Sequence, residues 1–334
     1  MSDLFITNRS ASYRDDLCRT LSGAGFRILR FEEGDLPVRT VSGKAFLRNP
    51  GAFLRLERPA RIIVPEFSGI AIQMAFLRKR FGFKLLSLCD DSLDMIHGND
   101  FSRAHRLARK WLPRYLDGII TLSPAVAEWY GERFGLLPLW MPLIRDERRV
   151  RPELERLLPL AERLRPSPKP VVAFVGRFVG LKNIPTLIKA FRPLADRAQL
   201  VLIGDGPQRP QLEALAPDAV FTGMLSGDDL LAWYDLVDIL VLPSTQEAYG
   251  AVTGEALMAG AKVAVSARAG SCDLVREGEN GYVVDPMDVD GWTGCLERLL
   301  DTVPSGRPLV LRENLLPYRF RDCMDDLIEG IKTL

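Results

Sequence analysis

Short apolar segments rich in Val, Ile and Leu alternate along the chain with longer segments of helical period. This alternation is typical of βα units built around parallel sheets, and continuous apolar runs suit strands that are covered on both faces. The pattern predicts six strands in the first half of the chain: Leu4–Thr7, Phe26–Phe31, Arg61–Pro65, Lys84–Leu88, Gly118–Leu122 and Leu137–Met141. It predicts six more in the second half: Val171–Val175, Gln199–Ile203, Ala219–Thr222, Ile239–Leu242, Lys262–Ser266 and Gly281–Val284.

A segment with few β-forming residues separates the two series of strands. Residues 144–170 read IRDERRVRPELERLLPLAERLRPSPKP, and their Pro-rich end favours a solvated surface helix and linker over a binding role. We therefore expect two doubly wound, Rossmann-like α/β domains, 1–165 and 166–310, and a C-terminal helix in 311–334 that crosses back to the first domain. Because ligands of such sheets bind at the carboxyl ends of the strands, we expect the domains to face a central cleft.

The charge is balanced over the 334 residues but uneven between the halves. The formal net charge is +1, whereas residues 1–170 hold 29 basic and 20 acidic residues and residues 171–334 hold 15 and 23. This asymmetry predicts two domains with different partners. The longest segments free of charged residues have 11 residues, which is shorter than the ~20 that a membrane-spanning helix needs. With no secretory signal at the N-terminus, we expect a cytoplasmic protein.

Cysteine and histidine usage argues against disulfides and metal centres. The five cysteines contain no CxxC pair, and His97 and His105 are the only histidines of the sequence. We therefore expect neither a disulfide framework nor a metal site.

The first segment with chemical potential is VVAFVGRFVGLKN, residues 171–183. A buried strand ends at Gly176, and the following turn carries Arg177 and Lys182 before a helix begins near Asn183. Two cations and a helix N-terminus at one strand end favour a phosphate group, although a solvated Arg and Lys would fit the same pattern. In VLIGDGP, Gly204 begins a GxG, but the third glycine of a dinucleotide fingerprint is absent, and a tight turn explains the glycines equally well.

The second segment is STQEAYGAVTGEALMAGAKVAVS, residues 244–266. Glu247 follows an apolar strand, and Glu255 lies eight residues later in a predicted helix, so both carboxylates could face one cleft if the helix starts near Gly250. Ala248, Tyr249, Gly250 and Ala251 would then supply backbone N–H groups for an anion or for sugar hydroxyls. Two surface glutamates are the alternative.

These segments resemble a known family when they are taken together. GRFVGLKN, IGDGP, FTG (221–223), PSTQEAYGAVTGEALMAGAKVAVS and GENGYVVDP (278–286) occur in the order and spacing of the C-terminal domain of family-4 retaining glycosyltransferases of the GT-B fold, glycosyltransferases group 1. The resemblance covers residues 171–300. It implies that Arg177 and Lys182 neutralise the donor diphosphate, that Glu247 contacts the transferred sugar, and that Glu255 binds the ribose. It also implies backbone contacts to the base near Phe221 and retaining transfer without a metal ion.

The N-terminal half departs from the family pattern. Where many members have a glycine-rich loop, this chain reads TNRSASYRDDL (7–17), so Ser10, Ser12 or Arg9 could replace those contacts, with helix capping by Ser12 as the alternative. Where members often have a His-Asp pair, this chain has Cys89-Asp90-Asp91. Asp90 and Asp91 are therefore candidate contacts to the acceptor or sugar, with capping of the next turn as the alternative. His97, in a predicted loop, is a weaker candidate.

Basic residues cluster in RAHRLARKWLPR, where Arg103, Arg106 and Lys110 share a helix face near Leu107 and Trp111. Such a helix can lie on an anionic membrane surface, or its arginines can simply be solvated. No platform of interleaved basic and aromatic residues points to nucleic acid.

The resemblance implies a glycosyltransferase that moves a sugar from a UDP- or GDP-linked donor to a glycan or lipid-linked acceptor. The resemblance places it in the assembly of bacterial cell-surface polysaccharide or glycolipid. Two alternatives stay open: a non-catalytic nucleotide-sugar-binding protein of a glycan assembly complex, and a hydride-transferring Rossmann enzyme.

Overall fold

A computed structural model of the chain describes residues 3–7, 12–30, 41–42, 46, 49–98 and 102–334. Contacts between residues divide the chain into two compact units. Unit 1 comprises Met1–Leu143 together with Phe320–Leu334, and unit 2 comprises Ile144–Arg319. The chain therefore returns to unit 1 at its C-terminal end.

Unit 1 is built on a parallel sheet whose described strands lie in the order β3-β2-β1-β4-β5-β6-β7. The strands are β1 (Asp3–Thr7), β2 (Phe26–Arg30), β3 (Val41–Ser42), β4 (Arg61–Pro65), β5 (Lys84–Cys89), β6 (Gly118–Thr121) and β7 (Leu137–Trp140). The helices are α1 (Ser12–Gly23), α2 (Pro50–Glu57), α3 (Gly69–Phe81), α4 (Leu93–Gly98), α5 (Arg103–Trp111) and α6 (Pro124–Phe134). The strand order reverses between β1 and β4, which pair directly.

Unit 2 contains a second parallel sheet, in the order β10-β9-β8-β11-β12-β13. Its strands are β8 (Val171–Val175), β9 (Gln199–Ile203), β10 (Val220–Gly223), β11 (Ile239–Leu242), β12 (Lys262–Ser266) and β13 (Gly281–Val284). Its helices are α7 (Glu147–Leu164), α8 (Ile184–Phe191), α9 (Arg209–Leu215), α10 (Gly227–Leu236), α11 (Ala251–Met258) and α12 (Val289–Leu300). Here the order reverses between β8 and β11.

Continuous burial explains why the strands were predictable. Every residue of β8, β6 and β11 is buried, as expected for parallel strands that are covered by helices on both faces. All twelve predicted strands are present, six in each half of the chain. Both ends of every one of them lie at the predicted residue or within one residue of it. The two-residue strand β3 was not predicted.

The last helix, α13 (Phe320–Lys332), belongs to unit 1. Its buried side chains, Phe320, Met324, Leu327 and Ile331, recur at helical spacing. At Gly330 a Cβ atom would lie 2.5 Å from a methyl carbon of Leu139 on β7, so the helix packs closely against that edge strand. Residues 311–319 of the expected C-terminal segment belong to unit 2.

The domain boundary differs from the predicted one at 165/166. The units divide at Leu143/Ile144, so the predicted linker is part of unit 2. Helix α7 buries Val150, Leu154, Leu157 and Ala161, and it packs against α10. Its many charged residues made it look solvated, but its apolar residues form a buried face, and Arg151 donates to the carbonyl oxygens of Met258 and Arg312.

The corrected boundary also reduces the charge asymmetry. Unit 1 now contains 23 basic and 19 acidic residues, a net charge of +4, and unit 2 contains 21 and 24, a net charge of −3. The contrast that the two halves showed, +9 against −8, came partly from assigning α7 to the wrong domain. Local clusters, rather than the total charge of each unit, therefore have to carry any electrostatic selectivity.

Candidate functional site

Two loops meet where the strand order of the unit 2 sheet reverses. The β8 loop, residues 176–183, and the β11 loop, residues 243–250, follow neighbouring strands that pair in parallel. In doubly wound sheets this switch point is where ligands bind, because the loops diverge there and leave a crevice. Most of the residues predicted to contact a donor lie in these loops or at the start of α11.

Glycines allow the β8 loop to pack against the turn that follows β9. Gly176 and Gly204 have φ values of 149° and 138°, and a Cβ atom at Gly204 would lie 1.9 Å from the carbonyl oxygen of Gly176. The N–H of Phe178 donates to the carbonyl oxygen of Asp205 at 2.8 Å. The GxG of residues 204–206 is therefore explained by backbone packing, and it fixes the position of the loop that carries Arg177.

A basic and an acidic side chain connect the two loops. Lys182 ends a 3₁₀ turn of the β8 loop, and its Nζ donates a hydrogen bond to the Glu247 carboxylate of the β11 loop. The side chains keep 19% and 15% of their exposure. The Thr245 N–H donates to the carbonyl oxygen of Leu181 at 2.9 Å, so backbone contact supports the pair. This arrangement holds an ammonium and a carboxylate at the crevice, partly open to a ligand.

Asn183 ties the β8 loop to two other strand ends. Its Nδ2 donates to the carbonyl oxygens of Pro243 at 3.2 Å and Pro286 at 2.8 Å, and its Oδ1 accepts from the Thr186 hydroxyl at 2.8 Å. Its backbone has a φ of 52°, in the left-handed region that asparagine tolerates better than most residues. One side chain thus holds Lys182 in register with the β11 loop.

The β11 loop leads into α11 through Gly250, whose φ is 92°. A Cβ atom there would lie 2.5 Å from a methyl carbon of Leu242, so the turn requires glycine. No side-chain hydrogen bond caps α11 within the described chain. Its first backbone N–H groups, at Ala251 and the residue after it, are thus suited to an anion. Tyr249 is buried, and its carbonyl oxygen accepts from the Ser271 N–H at 2.8 Å, whereas Ala248 is half-buried.

Glu255 lies in α11, eight residues after Glu247, as predicted. Its Oε2 accepts a hydrogen bond from the Tyr234 hydroxyl of α10 at 2.6 Å. Burial raises the pKa of the Glu255 carboxyl, and the Tyr234 hydrogen bond and the charge of Arg145 oppose that shift. Burial, followed by the Glu255 charge, raises the pKa of Tyr234 as well. The Tyr234 hydroxyl therefore orients the carboxylate through Oε2.

Arg177 and Phe221 are the two remaining donor candidates of unit 2. Arg177 is exposed, and within the described ranges no ion pair or side-chain hydrogen bond engages its guanidinium. Phe221 on β10 is half-buried and packs edge-to-face on Phe178, with ring centroids 6.3 Å apart. The exposed Arg177 guanidinium follows β8, and the Phe221 ring lies on β10, two strands away in the unit 2 sheet.

In unit 1, Asp91 is engaged by other protein groups. The residue is 2% exposed. Its carboxylate accepts from Arg109 Nε at 2.8 Å, from Arg109 Nη2 and from the Tyr130 hydroxyl at 2.9 Å. Burial acts to lower the pKa of Arg109, but the hydrogen bonds and charge of Asp91 outweigh it and the net shift is upward. Burial also raises the pKa of the Cys89 thiol. Asp91 thus holds α5, α6 and the end of β5 together.

Asp90 and Glu66 are more open. Asp90 is half-buried directly after β5. Glu66 follows β4 at the switch point of the unit 1 sheet and has a φ of 49°, an uncommon value for glutamate. Burial raises the pKa of Glu66, and the charge of Asp90 adds to that shift, whereas Arg14 and Arg109 oppose it. These carboxyl groups lie at the position where ligands of such sheets bind.

The other acceptor candidates are less informative. Ser10 lies outside the described residues. His97 is exposed, and it lies in the last turn of α4 rather than in a loop. The helix forms because the Ser92 hydroxyl accepts from the Met95 N–H at 3.3 Å, which starts α4 immediately after the strand end.

Comparison with known proteins identifies the family. The family model described as glycosyl transferases group 1 matches residues 169–302. The GDP-mannose-dependent alpha-(1-6)-phosphatidylinositol monomannoside mannosyltransferase of Mycobacterium tuberculosis is 31% identical over 316 residues, which are 87% of this chain and 78% of that protein. This chain belongs to the glycosyl transferases group 1 family.

Other relatives match over shorter regions. The 2-deoxystreptamine glucosyltransferase of Streptomyces kanamyceticus is 31% identical over 208 residues, 58% of this chain. The match spans only 53% of that relative, about half its length. The family match itself covers both loops of unit 2 and α11.

Solved structures bear on the fold. HepE from Anabaena, in complex with UDP, superposes with a TM-score of 0.77 at 17% identity, and the match covers 100% of both chains. Together with the strand orders of the two sheets, this confirms the predicted GT-B fold class. At that identity the likeness concerns the fold alone.

The sequence patterns did not identify three residues of these sites. Glu66 stands alone after an apolar strand, RIIVPE, and that position after a buried strand is the signal that could have identified it. Tyr234 and Asn183 act through contacts to residues far along the chain, which no local pattern shows.

The described residues contain neither a candidate metal site nor a membrane span. They include no group of three or more His, Cys, Asp or Glu residues that could hold a metal ion. None of the helices in the described ranges has both the length and the apolar character needed to cross a membrane.

Proposed function

We propose that this chain is a glycosyltransferase that moves a sugar from a nucleoside-diphosphate sugar to a hydroxyl acceptor, with retention at the anomeric carbon. The observation that carries the proposal is the partly open contact between Lys182 and Glu247, which joins the β8 and β11 loops at the switch point of unit 2. A ligand with a diphosphate and sugar hydroxyls can satisfy both charges at once.

The donor diphosphate would lie against Arg177, Lys182 and the first turn of α11. Arg177 is an exposed guanidinium whose planar fork suits phosphate oxygens. When the diphosphate approaches, its negative charge would draw Lys182 away from Glu247. The freed carboxylate could then accept hydrogen bonds from the hydroxyls of the transferred sugar. The present contact between the two side chains would thus be exchanged for contacts to the donor.

Glu255 would bind the ribose. Ribose offers two neighbouring hydroxyls, and a carboxylate accepts paired hydrogen bonds from them. The Tyr234 hydroxyl, 2.6 Å from Oε2, orients this carboxylate. Backbone groups near Phe221 and Leu225 would contact the base. Because side chains would not read the base, the proposal includes both UDP- and GDP-linked donors.

In the reaction, the bond between the anomeric carbon and the diphosphate oxygen would break, and the acceptor oxygen would bond to that carbon on the same face. The acceptor proton would pass to the departing phosphate oxygen. The cations of the β8 loop would stabilise the charge that develops on the diphosphate, usually the largest catalytic contribution.

The acceptor would bind unit 1. Glu66 and Asp90 are the carboxyl groups at the strand ends that could accept a hydrogen bond from an acceptor hydroxyl, whereas Asp91 is occupied by Arg109 and Tyr130. We place the reaction in the cytoplasm and in the assembly of cell-surface glycans or glycolipids. The name of the mycobacterial relative, a phosphatidylinositol monomannoside mannosyltransferase, supports a lipid-linked acceptor.

A thermal-shift screen with UDP-, GDP- and ADP-sugars tests the donor assignment. A ligand that binds only the folded chain raises the unfolding temperature, so one nucleotide class should stabilise the protein and the others should not. Stabilisation by none of them would contradict the proposal. Release of the free nucleoside diphosphate by the stabilising donor would separate transfer or hydrolysis from the alternative, a nucleotide-sugar-binding protein without catalysis.

A further inference from the structure

Helix α5 in unit 1 presents two chemically different faces. Ala104, Leu107, Ala108 and Trp111 recur at helical spacing on one face, and they line a groove of about 500 Å³. Arg106, Arg109 and Lys110 recur on another face and line a pocket of about 680 Å³. The groove and the pocket thus lie on two sides of the same short helix.

The groove, which we call the apolar groove, lies between α5 and α3. Its large side chains are Ile72 and Phe76 of α3, Leu107 and Trp111 of α5, and Tyr115 of the turn that follows. Phe76 is 82% exposed, Leu107 60% and Trp111 56%. A solvated basic helix explains exposed arginines, but it does not explain a contiguous patch of exposed aromatic and aliphatic side chains. Such a patch marks a surface that another body covers.

The pocket, which we call the cationic pocket, lies between α5 and α6. It is lined by Arg106, Lys110, Arg114 and Arg133, with the rings of Trp129 and Phe134. Within the described part of the chain, none of these four basic side chains forms an ion pair with a carboxylate. Arg109 also reaches the pocket, and it holds Asp91 beside the end of β5. The pocket therefore adjoins the strand ends where we place the acceptor.

A nucleic acid fits this surface poorly. Base stacking needs an open ring face, but Arg133 lies over the Trp129 ring at 5.4 Å and Arg114 over the Phe134 ring at 6.0 Å. The apolar groove also offers few polar groups to a base or a phosphate. An anionic bilayer matches both features, because its phosphate headgroups meet cations and its acyl boundary meets apolar and indole side chains.

We propose that this face of unit 1 docks on an anionic lipid bilayer. Phe76, Leu107 and Trp111 enter the interface, and Arg106, Lys110, Arg114 and Arg133 bind the phosphate headgroups. The inference deepens the proposed function and rests on it in one respect: it makes the acceptor a lipid-borne molecule that is presented next to Asp90 and Glu66.

Vesicle sedimentation of the full chain tests the proposal without donor or acceptor. The probes are vesicles of phosphatidylcholine alone and of phosphatidylcholine mixed with phosphatidylglycerol, at low and at high salt. We expect the protein to sediment with the mixed vesicles, more weakly at high salt, and little with phosphatidylcholine alone.

Two double variants separate the contributions. Phe76→Ser/Trp111→Ser and Arg106→Ser/Lys110→Ser should each lower the partition coefficient on mixed vesicles about tenfold, and the second should also reduce its salt dependence. The substituted side chains are exposed, so circular dichroism should show an unchanged fold. Val310→Ser and Lys189→Ser/Arg192→Ser change exposed residues of unit 2 and should bind as the unchanged protein does.

Three results would overturn the proposal: no sedimentation with mixed vesicles, equal binding by both double variants and the unchanged protein, or tighter binding to a single-stranded RNA than to vesicles. The thermal shift caused by the donor, measured on the same variants, reports on unit 2 separately. Vesicle binding without a donor shift would refute the proposed function and leave the membrane surface standing, and the reverse result would do the opposite.

Discussion

Lys182–Glu247 in unit 2 and Arg109–Asp91 in unit 1 are both pairs of basic and acidic side chains beyond the ends of parallel strands. The two pairs differ in the hydrogen-bonding capacity that their carboxylates keep for a ligand. Asp91 is buried and accepts hydrogen bonds from Arg109 and Tyr130 on both oxygens. The described side-chain hydrogen bonds of Glu247 involve only Oε2, and the side chains of Lys182 and Glu247 are both partly exposed. The same chemistry at similar positions thus supports packing in one unit and leaves binding capacity in the other.

The largest effect is expected from breaking the buried pair. Asp91→Ala removes a buried carboxylate and leaves the half-buried Arg109 guanidinium and the Tyr130 hydroxyl without that acceptor, which we expect to cost about 3 kcal/mol of unfolding free energy. Urea denaturation of the full chain would measure this loss of unfolding free energy. Asp90→Ala is the neighbouring control and should change the stability little. A stable Asp91→Ala protein that had lost only transfer would show that Asp91 contacts the substrate instead.

Breaking the open contact should have the opposite signature. Arg177→Ala and Lys182→Ala should each lower kcat about 10²–10³-fold, because each removes a cation that stabilises the departing diphosphate, while the urea midpoint stays close to that of the unchanged protein. Steady-state kinetics would measure it. Lys189→Ala and Arg192→Ala remove exposed cations of the same unit and should keep full activity. Equal activity of all four variants would contradict the assignment of the donor site to this crevice.

Glu66→Gln should separate activity from stability. The pKa of Glu66 is raised above its ordinary value of 4.5, first by burial and then by the charge of Asp90. A carboxyl group with a raised pKa makes the folded protein less stable as the pH rises from the group's unfolded pKa through its folded pKa. The glutamine variant should thus be more stable than the unchanged protein at neutral pH and equally stable near pH 4.

The same variant should lose acceptor transfer. A hydrogen bond to a charged group contributes about 1.5–3 kcal/mol, so kcat/KM for the acceptor should fall about 10–100-fold. Donor binding, measured by titration calorimetry, should not change. If transfer stayed at its normal level while stability rose, Glu66 would be a strained residue without a role in acceptor binding.

The smallest effect concerns the residue that holds the two loops of unit 2 together. Asn183→Ala loses hydrogen bonds to Pro243 and Pro286 and keeps a left-handed backbone, so we expect a loss of about 1–3 kcal/mol of stability. Asn183→Gly loses the same hydrogen bonds without the backbone strain and should be less destabilised. Thermal melts of the two variants would test this order, and equal melts would mean that the conformation at this position relaxes.

The sequence predicted the strands well, because a buried strand is a local pattern. The candidate donor residues were found for the same reason, and their role stays a prediction. A fully buried strand such as Val171–Val175 is recognisable on its own, and the glycine, basic and acidic residues follow it at fixed spacing. The two-residue strand β3 has no period to recognise. Helix α7 was assigned to a linker because its charged faces dominate the pattern, whereas its burial depends on α10, more than 60 residues away.

Adjacent residues in unit 1 show the limit most clearly. Asp90 and Asp91 look equivalent in the sequence, yet one is half-buried and the other is inside the protein. Which of the two turns inward depends on Arg109 and Tyr130, which come from α5 and α6. The sequence therefore predicts a polar strand end at this point and leaves open which carboxylate a ligand can reach.

The most direct test of the central claim compares the binding of UDP and uridine, or of GDP and guanosine, by titration calorimetry. If Arg177 and Lys182 hold the diphosphate, the diphosphate should bind the unchanged protein far more tightly than its nucleoside does. In Arg177→Ala/Lys182→Ala most of that difference should disappear, while the affinity for the nucleoside stays the same. A double variant that still prefers the diphosphate as strongly as the unchanged protein would contradict the account.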